Sequence, residues 1–327
     1  MRDDSTGIIV QHLACSTSRS MKKEENSLHA FDSLTEAHKR LGFPVPKHPL
    51  ISFLNSSQVE VVINSLPHSH VLKFYKIAYK PKLGGKLRYG QGYYDFDEGG
   101  LLFAAPNQVI GTHHDGEAGV CSQYTLLIHP DFLLGHSLAK TIKQYGFFSY
   151  STREALHLSE EEKETVISIF KMIETELNSR IDDFSQDVVI SQIELLLHYA
   201  NRFYKRQFIT RKAVNSDLLL KLEQLMDQYF NDEATVRQGL PTVQYLADHL
   251  NVTPGYLSDM LRSLTGGNTQ QLIHNKLIEK AKEQLSTTQL SVGEVAYALG
   301  FEHSQSFSKL FKTKTGLSPL EFRRSFN

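Results

Sequence analysis

The run Ser291-Val-Gly-Glu-Val-Ala-Tyr-Ala-Leu-Gly-Phe301 is followed by Glu302-His-Ser-Gln-Ser-Phe-Ser-Lys-Leu-Phe-Lys312, then by Gly316-Leu-Ser-Pro319 and Phe322-Arg323-Arg324. Val292, Val295, Ala296 and Leu299 recur at helical spacing, so a short helix there has one apolar face. Ser291 with Glu294 three residues later has the form of a capping box. Gly300 stands where the chain must turn through a left-handed conformation. A second helix is expected over 303–313, with Phe307, Leu310 and Phe311 inward. Ser304, Gln305, Ser308, Lys309 and Lys312 are left for its other faces. Two short helices joined by a tight turn, the second polar and basic outside, fit a reading helix in a DNA major groove. Periodicity alone fits an ordinary helical hairpin equally well.

The same pattern occurs once more, upstream. Thr242-Val-Gln-Tyr-Leu-Ala-Asp-His-Leu250 reads as a short helix with Val243, Leu246, Ala247 and Leu250 inward, and Asn251-Val252 as the turn. Thr253 caps a helix through Leu264, with Pro254 at its first position, where a missing N–H is tolerated. Gly266-Gly267 stops it. Between the two copies, 269–286 is one long helix with Leu272, Ile273, Leu277, Ala281 and Leu285 as its buried stripe.

On these residues the chain resembles the AraC/XylS transcriptional regulators. The likeness rests on Lys276-Leu277, Ala281-Lys282 and Leu285 in the connector, then on Val295-Ala296, Leu299-Gly300-Phe301 and the run Phe307 to Lys312. Gly316-Leu-Ser-Pro319 and Phe322-Arg323 close the signature. It covers the C-terminal third. It implies a monomeric DNA-binding domain whose two reading helices enter successive major-groove segments on one side of the duplex. Carried over by position, the first reading helix offers Gly255, Tyr256, Ser258, Asp259 and Arg262. The second offers Ser304, Gln305, Ser306, Ser308 and Lys309, with Lys312 behind them. The family often has arginine where Asp259 stands. An acid cannot read guanine or a phosphate there, although it can accept from cytosine N4. Tyr256 has a second reading as a core or phosphate-contacting residue.

A length of 327 residues predicts two domains. The formal net charge is −1, so the whole chain has no basic signature. Positive charge gathers only at Lys309, Lys312, Lys314, Arg323 and Arg324. That implies a modest phosphate contribution to DNA binding. Cys15 and Cys121 supply neither metal spacing nor a disulfide framework. With no long apolar run, a reducing cytoplasm and no membrane span are expected.

Residues 1–26 read as a loose leader, with Met21 as a second candidate start. A short helix is expected over 33–41. From 48 to 130 the runs 51–54, 59–63, 71–79, 92–96, 100–104 and 124–128 are short and rich in β-branched and aromatic residues, an all-β pattern. The family resemblance suggests a cupin-like β-barrel or jelly roll here, the sensor of the sugar-responsive branch. Asp97 to Val109 looks like the segment before its last strand. The fold class expected is therefore α+β and multidomain: 27–208 a cupin-like sensor and dimerisation domain, 209–216 a linker, 217–327 an all-α DNA-binding domain with two helix-turn-helix motifs.

His68 and His70 alternate on one strand edge, and His113-His114 come later. The glutamate that cupins place after such a pair is missing and so is the late histidine, which argues against a metal and against any cofactor. His68, His70, Tyr75 and Tyr93 are candidate effector contacts. Tyr79, Tyr94 and Phe103 are further candidates for an apolar wall. From 130 to 208 the period turns helical. Asp131 opens a short helix, and Phe147-Phe148 and Tyr150 form a loop that packs down. Ser159 with Glu162 caps a long helix, and 183–204 forms another. One apolar stripe covers the β domain and the other is a candidate dimer face, which the resemblance makes an antiparallel pair across a two-fold axis. The function expected is ligand-responsive control of transcription by a homodimer on double-stranded DNA, activating through RNA polymerase, in answer to a small-molecule effector. The rivals are a cupin-type enzyme fused to a DNA-binding tail, and a constitutive regulator whose β domain only dimerises.

Overall fold

The computed structural model describes residues 29–41, 43–56, 69–81, 87–89, 92–94, 99–111, 122–151, 154–179, 185–210, 212–231 and 239–325. The leader, the run 59–63, His68, His113, His114 and both cysteines lie outside them.

The strands are β1 (His29–Phe31), β2 (Ile51–Asn55), β3 (Ser69–Leu72), β4 (Tyr75–Lys80), β5 (Leu87–Tyr89), β6 (Gly92–Tyr94), β7 (Gly100–Ala104), β8 (Val109–Gly111), β9 (Tyr124–Ile128) and β10 (Leu156–His157). A five-stranded antiparallel sheet runs β10-β7-β4-β9-β2. A three-stranded sheet runs β1-β3-β8, with β1 parallel to β3, and β5-β6 is a hairpin. The all-β texture of this part is therefore present as largely antiparallel sheet; the cupin-like jelly roll stays a proposal. The run 71–79, read as one strand, breaks at Lys73-Phe74 into β3 and β4, which belong to different sheets. The reason is local. Phe74 is fully buried at the corner, and the Lys73 N–H donates to the Phe31 carbonyl at 3.1 Å, which turns the chain there.

Before β2 lies α1 (Leu34–Leu41). After β9 come a 3-10 turn over Pro130–Leu133, the short α2 (Leu138–Thr141) and a 3-10 turn over Gly146–Ser149. Two long helices close the sheet. In α3 (Glu160–Asn178) Ser159 and Glu162 make the expected capping box, and Val166, Ile169, Phe170 and Ile173 point inward. α4 (Ser185–Thr210) continues past the expected end at Tyr204, because Phe208 carries its apolar stripe a further turn. The expected linker 209–216 is helical on both sides of Arg211: Thr210 ends α4 and Lys212 opens α5 (Lys212–Asn231). Its polarity marked helix surface rather than a loop.

The C-terminal part is helical, with α6 (Val243–His249), α7 (Pro254–Thr265), α8 (Thr269–Thr287), α9 (Val292–Ala298), α10 (Ser304–Thr315) and α11 (Pro319–Arg324). Its core does not divide where the sequence divides. Leu246, Leu257, Leu261 and Ile273 belong to one apolar cluster with the β domain, α3 and α4. Leu277, Ala281, Leu285, Val295, Leu299, Phe307 and Phe311 form a second. The boundary falls inside α8, between Ile273 and Leu277, so the first helix-turn-helix is packed onto the N-terminal part and the second stands apart.

Candidate DNA-reading surface

Each helix-turn-helix is built by the same local chemistry. Thr242 caps α6 by accepting from the Tyr245 N–H at 3.0 Å, and Ser291 caps α9 by accepting from the Glu294 N–H at 3.2 Å. The Glu294 carboxylate accepts from the Ser291 N–H at 2.7 Å, and hydrogen bonding from the Ser291 backbone and hydroxyl holds its pKa below the usual carboxylate range. Both turns pass through the left-handed region, at Asn251 (φ 55°) and Gly300 (φ 86°). In each, the next residue donates back over the turn: Val252 N–H to the Ala247 carbonyl and Phe301 N–H to the Ala296 carbonyl, both at 3.0 Å. Asparagine tolerates that conformation better than other side-chain-bearing residues. The reading helices α7 and α10 end at Gly266 and Gly316. Counted back from those glycines, Gly255, Tyr256, Asp259 and Arg262 are the counterparts of Gln305, Ser306, Lys309 and Lys312.

In α10 the expected face is open. Phe307 and Phe311 are fully buried, which leaves Gln305, Ser306, Lys309 and Lys312 exposed on the other side. Ser304 and Ser308 are half-buried at its edges. Arg323, grouped by sequence with the terminal cations, is turned inward, where its Nε donates to the Leu285 carbonyl at 3.2 Å. Lys314 Nζ donates to Asn275 at 3.3 Å.

The corresponding ridge of α7 is covered. Tyr256 is 7% exposed, edge-on to Tyr150 and to Phe208 of α4, so it is a packing residue and not an exposed base contact. Ser258 faces α8 and shares a hydrogen bond with the buried Thr269 hydroxyl at 3.0 Å. Asp259 accepts from the Tyr150 hydroxyl at 2.7 Å and from Arg262 Nη1 at 2.6 Å. Burial, with Asp259 beside it, pushes the Tyr150 phenol far above its ordinary range, so it remains a donor. The Glu154 carboxylate, 6% exposed, sits at the N-terminus of α7. It accepts from the Thr253 N–H at 2.6 Å and the Thr253 hydroxyl at 2.8 Å. Neither Tyr150 nor Glu154 was marked by sequence as a partner of this helix. The only signal was the acid at 259, out of keeping with its place.

Of the candidate effector residues, His70 and Tyr75 are buried in the core, and His68 lies outside the described residues. His70 is buried against the Phe31 ring at 5.6 Å. Tyr75 is core, edge-on to Phe148 at 5.2 Å, and Phe103 lies 4.5 Å from Phe147. The turn that packs down fills the space that Tyr75 and Phe103 were expected to wall. Tyr93 lies on β6. Among the described residues no group of three or more His, Cys, Asp or Glu converges to hold a metal ion, and no helix is long and apolar enough to cross a membrane.

Residues 246–325 match a family model described as a helix-turn-helix domain. The chain is 34% identical over 84 residues to the raffinose operon transcriptional regulatory protein RafR of Pediococcus pentosaceus, which is 26% of this chain and 30% of that protein. It is 36% identical over 78 residues to the arabinose operon regulatory protein of Salmonella typhimurium, 24% of this chain and 28% of that protein. The C-terminal third is an AraC-type helix-turn-helix domain. Its likeness to the transcriptional activator AarP of Providencia stuartii, 34% over 80 residues, takes in 24% of this chain and 59% of that protein. The chain thus spans less than a third of the first two relatives' lengths. That domain carries its own caps and one exposed ridge, on α10, while the core of its first half is shared with the N-terminal part.

Proposed function

We propose that the chain is a DNA-binding transcription regulator of AraC type, acting on double-stranded DNA in the cytoplasm as a homodimer. The observation that carries this reading is the paired helix-turn-helix with Gln305, Ser306, Lys309 and Lys312 aligned and exposed on α10. Gln305 is suited to a bidentate pair with adenine, and Lys309 to guanine or a phosphate. Asp227, bonded to Lys276 at 2.5 Å, and Asp217, bonded to Lys221 at 2.7 Å, neutralise cations elsewhere in the domain. Binding then depends on few phosphate contacts and on a second copy for affinity. The exposed Met172 of α3 and Val188 and Leu195 of α4 form an apolar face that supports dimerisation through these helices. The N-terminal part, 27–208, is the cupin-like sensor in this reading, and 217–327 the DNA-binding domain. A small-molecule effector acts by binding one arrangement of the two parts better than the other. Activation proceeds by contact with RNA polymerase.

The test is selection of fragments from the source genome by the purified full chain, read by sequencing. A recurring site built of repeated half-sites supports the reading. Sequence-blind capture that salt abolishes refutes it.

A further inference from the structure

We infer that the structure is a closed form, in which a latch made by Tyr150 and Glu154 masks the first reading helix and must open before α7 can enter DNA. This rests on the regulator reading above and specifies how it is controlled.

The two helix-turn-helix copies differ in what covers them. Position for position, Gln305, Ser306 and Lys309 are exposed on α10, whereas Gly255 and Asp259 are half-buried on α7 and Tyr256 is buried. What covers them is the 3-10 turn 146–149 with Tyr150 and the end of α4. The approach is close on both sides. A Cβ at Gly146 would strike the Asp259 carboxylate, and a Cβ at Gly255 would lie 3.0 Å from the Ser149 hydroxyl and 3.5 Å from the Tyr150 ring. A duplex cannot share that space. The polar contacts also imitate what DNA would offer. The Glu154 carboxylate holds the N–H at the head of α7, a place where a helix N-terminus favours an anion such as a phosphate. Asp259, paired with Tyr150, also holds the Arg262 guanidinium.

The covering turn is tied to the sheet. Ala105 N–H, at the end of β7, donates to the Phe148 carbonyl at 3.2 Å. Phe147 and Phe148 pack on Phe103 and Tyr75. Glu154 is held from behind: Tyr204 donates to its carbonyl at 3.2 Å, and Gln207 donates to the carbonyl of the next residue, Ala155, at 3.3 Å. A ligand that displaced Phe147 or Phe148 from the sheet would therefore move the turn that covers α7, which gives an effector its differential affinity for the two states.

The test is a reversible lock. Ser149→Cys with Gly255→Cys, in a Cys15→Ser, Cys121→Ser background, should form a disulfide across the contact, given that 3.0 Å approach. On a site recovered by genomic selection, the reduced protein should protect two successive major-groove segments. The oxidised protein should protect only the segment met by α10 and bind at least tenfold more weakly. Gly146→Ala, which pushes the contact apart from the side that does not meet DNA, should tighten binding several-fold. Failure of the pair to oxidise, or equal footprints in both redox states, overturns the latch and leaves the regulator reading standing. Recovery of no recurring site by either state overturns both.

Discussion

Removing one charge from the latch should tighten DNA binding, a direction opposite to that of most substitutions near a DNA-binding domain. Glu154→Gln keeps the size and shape of the side chain. Across the interface the carboxylate accepts two hydrogen bonds from Thr253, through the N–H at 2.6 Å and the hydroxyl at 2.8 Å, and it also accepts from the Ser151 N–H at 2.7 Å. Ser151 lies on the same side as Glu154, so that bond survives opening and only the Thr253 pair distinguishes the closed form. An amide presents one oxygen and one NH2 to three donors. At least one donor then meets another donor, and the remaining bonds lose their charge assistance. A hydrogen bond to a charged group contributes about 1.5–3 kcal/mol. The closed form should lose about 2 kcal/mol relative to the open one, roughly a 30-fold shift in the equilibrium. When the closed form dominates, apparent affinity rises by the gain in the open fraction, so the ceiling is the same roughly 30-fold. Anisotropy titrations at fixed salt would compare a duplex spanning two major-groove segments with one that serves α10 alone. The gain should appear on the long duplex and be absent on the short one. Unchanged or weaker binding to the long duplex, with the melting temperature preserved, would refute the reasoning.

The other predictions concern the open helix, its core and the acid limit. Gln305→Ala should lower cognate affinity by about 1–3 kcal/mol while leaving scrambled DNA nearly unaffected, whereas Lys312→Ala should weaken both alike and flatten the salt slope; equal losses for Gln305→Ala on the two duplexes would remove its reading role. Phe307→Ala, at a fully buried position of the second cluster, should destabilise that half by about 3–5 kcal/mol and leave the first cluster folded, visible as a separate early unfolding step by hydrogen exchange. Burial holds the His38 pKa below its ordinary value of 6.5 despite a bond to the Pro44 carbonyl, and its Nε2 meets the Ser52 hydroxyl at 2.7 Å. A folded pKa depressed below the unfolded one means that His38 contributes stability fully above about pH 6.5, lost as pH falls through the folded value. Melting temperature should drop from pH 7.5 to 5.5, and an unchanged slope in His38→Gln would exclude His38 as its source.

What the sequence disclosed was local. The Ser291–Glu294 and Ser159–Glu162 boxes, the turn at Gly300 and the stop at Gly266 depend on residues three or four apart, and each stands where periodicity placed it. The break of 71–79 into two strands was hidden because Phe74, Tyr75 and Ile77 are all buried, which leaves no change of face to announce a corner. The helical residues on either side of 211 were hidden because a solvated helix surface and a loop have similar composition. The first reading helix was legible as a helix and not as a surface. Its partner Tyr150 lies 109 residues before Asp259, and Glu154 lies 99 before Thr253. No spacing rule reaches that far.

Asp259 nevertheless left a mark. An acid at a position facing DNA repels phosphate and reads little sequence, so on a surface meant only for DNA it is a defect. The same carboxylate is well matched to a buried phenol that stays protonated, and arginine in its place would meet Gly146 and Tyr150 with a larger side chain and no acceptor for the hydroxyl. The departure is therefore explained by the partner inside the chain, not by the base outside it. In the proposed latch the two copies divide the labour: α10, with lysine at 309, would keep a hold on DNA in either state, and α7, with aspartate at 259, would give up part of that hold to become the half that can be withdrawn.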